Sequence, residues 1–217
     1  MLSETLASVP SESRAKILDV AEVLFARRGY AGVGLREVAE GVGLRKSSLF
    51  HHFPTKQGLY SEVLGRVLER IEVSVSAAMR SRDGHAERLD RWIDAVVDVL
   101  AEHPTTARLA LRSLFEDDDV TREPASPPPY EETLARLIGG FQKLVADGVA
   151  AGAFRDVSPG HLTQTLIGAT VYHFASADLG DEILGAPIFS ADQVSERKRE
   201  LKALVRNGLA PREPSTK

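Results

Sequence analysis

Apolar positions recur along this chain at intervals of three and four, and alternating β-branched runs bounded by turns are absent. That period belongs to helices, so the pattern predicts an all-α fold, with no internal repeat. From Ser13 to Arg28, Ile17, Ala21, Leu24 and Phe25 form one stripe, with Ser11 or Ser13 placed to cap its start and Gly29 its end. After the turn "GYAGVG" come two short helical patterns, about Leu35–Glu40 and Arg45–His52, joined by a tight turn from Gly41 to Leu44. Pro54 breaks the second, and Thr55 caps a long helix to about Arg80, striped by Leu59, Val63, Val67 and Ile71. Further helices are predicted near Glu87–Glu102, Thr105–Glu116, Glu131–Ala151, Pro159–Ala177 and Ala191–Asn207. The stretch from Asp117 to Tyr130, acidic and then Pro-rich, reads as a linker or loop, and Gly208, Leu209 and Pro211 as a helix stop.

The two short helices give the pattern a chemistry. A helix, a tight Gly turn and a second helix crossing it make a helix-turn-helix. Gly43 suits the turn because one residue there must take a left-handed backbone. Ala39 lets the helices approach, and Leu49 plugs the space between them. Arg45, Lys46, Ser47, Ser48, His51 and His52 are left mostly outside, and such donors meet phosphates and base edges. The bland alternative is an ordinary solvated surface. His51 and His52 point different ways on a helix, so one faces outward to DNA and the other sideways, and they do not converge on a metal.

Charge sharpens this reading. The 217-residue chain has a formal charge of −4, yet residues 1–60 carry 8 Lys/Arg against 6 Asp/Glu, so a basic segment precedes an acidic body. With 43% hydrophobic and 27% charged residues the composition is globular. The absence of cysteine removes disulfides, thiol catalysis and Cys-ligated metals. Neither a secretory signal nor an uncharged membrane-length apolar run is evident, so a cytoplasmic protein without membrane association is expected. No His-x-x-x-His pair, Gly-x-Ser-x-Gly elbow or phosphate-binding loop stands in the chain, so no metal, cofactor or catalytic residue is expected.

The segment "ILDVAEVLFARRGYAGVGLREVAEGVGLRKSSLFHHFPTKQGLYSEVL", Ile17 to Leu64, resembles the DNA-binding domain of the TetR (tetracycline-repressor) family of bacterial transcription regulators. The "LF…RGY", "REVA…VG" and "KSSLFHHFPTK" elements all match in register, whereas the region after Leu68 matches in architecture alone. The resemblance implies three parts. Residues 1–54 form a three-helix DNA-binding domain, 55–208 a larger helical domain for effector binding and dimerisation, and 209–217 a flexible tail. It further implies that Arg45 to His52 reads DNA, that Thr55 and Lys56 grip a phosphate, and that Gly34, Arg36 and Phe50 belong to the same surface. Three positions depart from the usual family pattern. Gly34 stands where Ser or Thr commonly caps, Arg45 opens the reading helix, where a guanidinium could bridge a guanine's O6 and N7, and Phe50 replaces a common Tyr.

For the larger domain, Trp92, Leu111, Phe115, Phe141, Tyr172 and His173, with Arg108 and Arg112, are the candidates to line an effector cavity. An amphipathic or aromatic ligand, with or without an acidic group, would fit such a set; ordinary core is the alternative for each residue taken singly. Leu162, Leu166, Gly168 and Ala169 on one late helix, with Val194, Leu201, Leu204 and Val205 on the last, are the candidate surface of a homodimer built as a four-helix bundle. The expectation is a repressor that binds an inverted-repeat operator in double-stranded DNA as a dimer and is released by a small-molecule effector. The competing readings are a helical ligand-binding or enzyme-like module without sequence-specific DNA binding, and a DNA-bound regulator that answers to a protein docking at Asp117–Asp119.

Overall fold

The computed structural model describes residues 5–79, 83–113 and 129–211. Among them are ten helices and no strand: α1 Thr5–Arg28, α2 Leu35–Val42, α3 Lys46–His52, α4 Lys56–Met79, α5 His85–Glu102, α6 Pro104–Ser113, α7 Pro129–Ala150, α8 Pro159–Ala175, α9 Asp178–Leu184 and α10 Ala191–Leu209.

The ends are set by local chemistry. Gly29 takes φ 72° and returns its N–H to the Phe25 carbonyl, closing α1. Gly43 takes φ 75°, and Leu44 N–H reaches the Ala39 carbonyl at 2.8 Å, the Schellman closure that turns α2 towards α3. Thr55 Oγ1 accepts from Gly58 N–H at 3.0 Å and caps α4. Ser158 and Ser190 do the same for α8 and α10.

Several boundaries differ from expectation. Helix α1 starts at Thr5, so Ser11 and Ser13 lie inside it; the polar stretch around Pro10 offers no apolar period to reveal the extra turns. Gly41 and Val42 belong to α2, and only Gly43 turns. Arg45 precedes α3, its carbonyl accepting from Ser48 and Leu49 N–H. Helix α7 begins at Pro129, so Tyr130, expected in the loop, is helical and buried. Helix α10 runs on to Leu209, whose side chain is buried. Helix α9 was not expected, because Leu179, Ile183 and Leu184 are exposed and form no buried stripe. Residues 117–128 and 212–217 lie outside the described residues.

Two clusters of buried residues divide the chain. The first joins Ile17, Ala21 and Phe25 of α1 to Val38, Leu49 and the α4 stretch from Leu59 to Leu68, and takes in Leu109 and Tyr130 from further along the chain. Phe25, Tyr30 and Tyr60 meet at its centre, with Phe25 edge-on to Tyr60 at 4.9 Å. The second cluster packs α5, α7, α8 and α10 around Ile93, Leu100, Phe141 and Phe174. Helix α4 contributes to both.

The last helix is fixed on two sides. Leu201, Val205 and Leu209 face the core, while Lys198, Lys202 and Arg206 pair with Asp98, Asp94 and Asp90 of α5. Both triplets repeat every four residues, the spacing that keeps one helix face in register.

Candidate functional site

The short helix α3 is amphipathic across its axis. Leu49 is fully buried against α2, which supplies Val38 and Ala39. Lys46, Ser47, Phe50 and His51 are exposed, an arc of about 140° at 100° per residue. Ser48 and His52 lie half-buried at its edge, so His51 faces solvent and His52 sideways. Arg45 is exposed at the helix start. Lys46 Nζ stands 5.4 Å from the centre of the Phe50 ring, which is 37% exposed.

Around this arc the acidic groups are already engaged. Glu37 pairs with Arg28, and Glu40 with Arg36 at 2.8 Å. Among the described residues, no carboxylate lies within ion-pair reach of Arg45 or Lys46. Gly34 caps α2 with its backbone alone and is exposed. Thr55 spends its hydroxyl oxygen as a cap, and Lys56 lies over the Tyr30 ring at 4.3 Å with its Nζ 3.4 Å from the Ala31 carbonyl. The arrangement can accept a polyanion across α3 with two uncompensated cations and several hydroxyl and imidazole donors.

Between this head and the body lies a buried ionic junction. Glu22 of α1, 6% exposed, accepts from both terminal nitrogens of Arg70 at 3.1 and 3.2 Å and from the Thr105 hydroxyl at 2.6 Å. Arg70 also donates to Thr106 at 3.0 Å. Burial pushes the Glu22 carboxyl up, but the hydrogen bonds from Arg70 and Thr105 and the attraction of Arg70 and Arg66 outweigh it, leaving its pKa below the ordinary value. At the other end of α6, Arg112 reaches the Ala26 and Arg27 carbonyls at 3.3 Å, at the C-terminal, electronegative end of α1.

In the body, a cavity of about 140 Å³ lies among α4, α5, α6, α7 and α8. Of the expected effector set, Trp92 and Phe141 line it, their ring centres 4.3 Å apart. The others do not. Arg112 is turned to α1, and Arg108 lines a separate recess with Val23 and Phe189. Leu111 is half-buried elsewhere, and Tyr172 is 54% exposed. His173 packs edge-on against Phe174 with its Nε2 buried and without a partner; burial, and then the charge of Arg197, hold its pKa down at about 4. Phe115 lies outside the described residues. The walls are mainly aliphatic: Leu68, Ile71, Val96, Leu137, Ile138 and Ile167 are among them. Nothing in the sequence separates these from plain core, since an aliphatic at helical spacing reads the same in both settings.

Of the candidate dimer positions, Leu166, Leu201 and Val205 point into the chain's own core. Leu162, Ala169 and Val194 are half-buried, Gly168 is exposed, and Leu204 is 71% exposed. A groove of about 650 Å³ runs between α8 and α10 beside Leu162, Ala169 and Leu204. No group of His, Asp or Glu able to hold a metal occurs among the described residues, and no helix there is long and apolar enough to cross a membrane.

A helix-turn-helix head with an exposed cationic face, joined by one long helix to a larger helical body with a cavity, is the build of a DNA-binding regulator. The family described as "Bacterial regulatory proteins, tetR family" matches residues 17–63, and "Tetracyclin repressor-like, C-terminal domain" matches residues 86–205. The chain belongs to the TetR family and is a DNA-binding helix-turn-helix transcriptional regulator. The HTH-type transcriptional regulator RutR of Escherichia coli (strain K12) is 25% identical over 203 residues, 93% of this chain and 92% of RutR. The structure of the ketosteroid transcriptional regulator KstR2 of Mycobacterium tuberculosis aligns with a TM-score of 0.72 at 20% identity, covering 92% of this chain and 95% of that one. AibR, solved in complex with isovaleryl coenzyme A and operator DNA, aligns with a TM-score of 0.71 at 15% identity, covering 88% and 97%. The last two likenesses are of fold.

Proposed function

We propose that this regulator is a dimeric repressor that binds an inverted-repeat operator through α3 and is released when a small molecule enters the body. The observation that carries the DNA-reading face is the exposed arc of α3, where Arg45 and Lys46 lack a carboxylate while Glu37 and Glu40 are paired away. Arg45 and Lys46 enter the major groove with Ser47 and His51; Ser48, Phe50 and His52 flank them. The start of α4, with Thr55 and Lys56, and the start of α2, with Gly34 and Arg36, lie along the phosphates. Two such helices meet successive grooves when a two-fold axis sets them about 34–36 Å apart. The exposed Leu204 beside the α8–α10 groove supports pairing of this face with its counterpart. The effector reading rests on the body cavity, and the AibR structure, which holds a coenzyme A ester together with operator DNA, is a precedent in this fold. An effector that binds better to a non-reading arrangement of the heads lowers DNA affinity by the factor by which DNA lowers its own.

The test is selection of the purified protein on a random duplex pool, followed by binding of the enriched sequences at several salt concentrations. Enrichment of an inverted repeat with steep salt dependence is the expected result. No enrichment, together with affinity indifferent to salt, would overturn the reading.

A further inference from the structure

The cavity of the body has a definite chemical preference. Among the described residues, no charged side chain lines it. Its three hydroxyls each donate to their own helix: Ser113 to the Ala110 carbonyl at 2.9 Å, Thr163 to Pro159 at 2.7 Å and Thr170 to Leu166 at 2.6 Å. The rest of the wall is aliphatic or aromatic. The space, about 140 Å³, is of the size at which an apolar protein cavity (about 150 Å³) stays dry and takes up benzene. An ionised group placed there would lose its water and gain no partner.

The cavity adjoins a second recess of about 330 Å³ at the surface between α4, α5 and α7. The two share Val75, Trp92, Leu137 and Phe141, so these side chains form the wall between them. The outer recess is polar where the inner one is not. Arg136 of α7 grips Glu72 of α4 at its rim through two hydrogen bonds of 2.8 and 3.1 Å, and Ser76 lies alongside. An apolar chamber thus sits behind an aromatic pair, and a polar recess lies in front of it.

We propose that this site binds an amphiphile. Its uncharged apolar tail, of about six carbons, fills the inner cavity, and its polar head stays in the Glu72–Arg136 recess, with entry between α4 and α7 past Trp92 and Phe141. The inference rests on the reading of the body as the effector domain and names the class of effector. It keeps the amphipathic ligand expected from the sequence but moves its polar site from Arg108 and Arg112, neither of which lines the cavity, to the Glu72–Arg136 recess.

Trp92 is the single tryptophan of the chain, so its fluorescence reports on the wall itself. The full-length protein is titrated with n-alkanols from butanol to decanol and with the n-alkanoates of matching length. The expected result is a saturable change in Trp92 emission. Alkanol affinity rises by about fourfold per methylene and levels off near six carbons. Short alkanoates, whose carboxylate would have to enter the cavity, bind at least tenfold more weakly than their alkanols. In longer ones the head reaches the recess and the gap closes. Ile167→Phe, which fills the cavity, abolishes the response; Val171→Ile, a milder change, weakens it and guards against loss of folding in the first. Absence of a saturable response in the wild type, or alkanoates matching alkanols at every length, would overturn the proposal. Operator binding is measured on the same samples. Intact operator binding with no probe response sinks this inference and leaves the DNA reading standing. A probe response with unchanged operator affinity upholds the site and removes its role as the effector switch.

Discussion

Lys46 and Phe50 stand one turn apart on the exposed arc of α3, and the ring steadies the ammonium without neutralising it. A lysine held in that way contributes point charge rather than base readout. Lys46→Ala should therefore weaken binding by about tenfold on every operator variant alike and lower the salt slope by about one per contact, two for a dimer. Binding isotherms across a salt series check this, and an unchanged slope would remove Lys46 from the interface. His173 makes a different prediction. Its folded pKa, about 4, lies below the ordinary 6.5, so between those values the unfolded chain binds the proton and the folded chain does not. Stability therefore falls as pH is lowered from about 6.5 towards 4. Allowing for its partial exposure, His173 accounts for about 1–2 kcal/mol of that fall. His103, also depressed by burial and by Arg70, acts with the same sign, so the measurement is the difference between wild type and His173→Leu in urea melts across this window. Single residues show where sequence reading succeeds and where it stops. The exposure of Arg45, Lys46 and His51 followed from their angle to Leu49, whereas the direction of Arg108 and Arg112 depended on α1, which is distant in sequence.

At the scale of elements, α6 is held to α1 at both ends, by Glu22 with Thr105 at its start and by Arg112 at its finish. Glu22→Ala leaves Arg70 partly buried with no carboxylate, and removing one partner of such a pair costs about 3 kcal/mol or more. Chemical denaturation should show that loss, while a double replacement, Glu22→Leu with Arg70→Met, should recover most of it because neither charge remains to be desolvated. Little loss in the single variant would mean that water solvates the Arg70 guanidinium in place of the carboxylate. The helix-turn-helix was legible because its turn, its plug and its exposed polar face each need a particular residue at a fixed spacing. The body was legible as a series of helices but not as a site. Its cavity is assembled from aliphatic positions on five helices, and which of these face an empty space depends on how the helices pack. Helix α9 escaped for a related reason: its apolar residues face outward, and it is tied to the chain that follows it, where Asp181 in its middle accepts from Ile188 N–H at 2.7 Å.

Across the whole molecule, the α8–α10 face carries Leu204, at 71% the most exposed of the large apolar side chains among the described residues. Leu204 is exposed although Leu201 and Val205 beside it are buried, and the basic side of α10 is already taken up by the aspartates of α5. Leu204→Glu should leave the fold intact and shift the protein to monomers in sedimentation. Operator affinity should fall by tenfold or more, since two half-sites are no longer held at a fixed spacing. A dimer that survives the substitution would place the pairing surface elsewhere.

Helix α4 runs for 24 residues, about 36 Å, and supplies Leu59, Tyr60, Val63, Leu64, Val67 and Leu68 to the first core before Val75 joins the second. That shared beam has a consequence for anyone building hybrid sensors by exchanging heads between relatives. A splice at Pro54 would ask a foreign helix to complete a third of the transplanted head's interior. A splice near Val73, which is 67% exposed, carries all of α4's share of the first core across and leaves Leu109, Tyr130 and the Thr105 and Arg112 contacts to α1 for the recipient body to supply. The natural seam for recombination lies within a helix, three-quarters of the way along it, and not in the loop that precedes it.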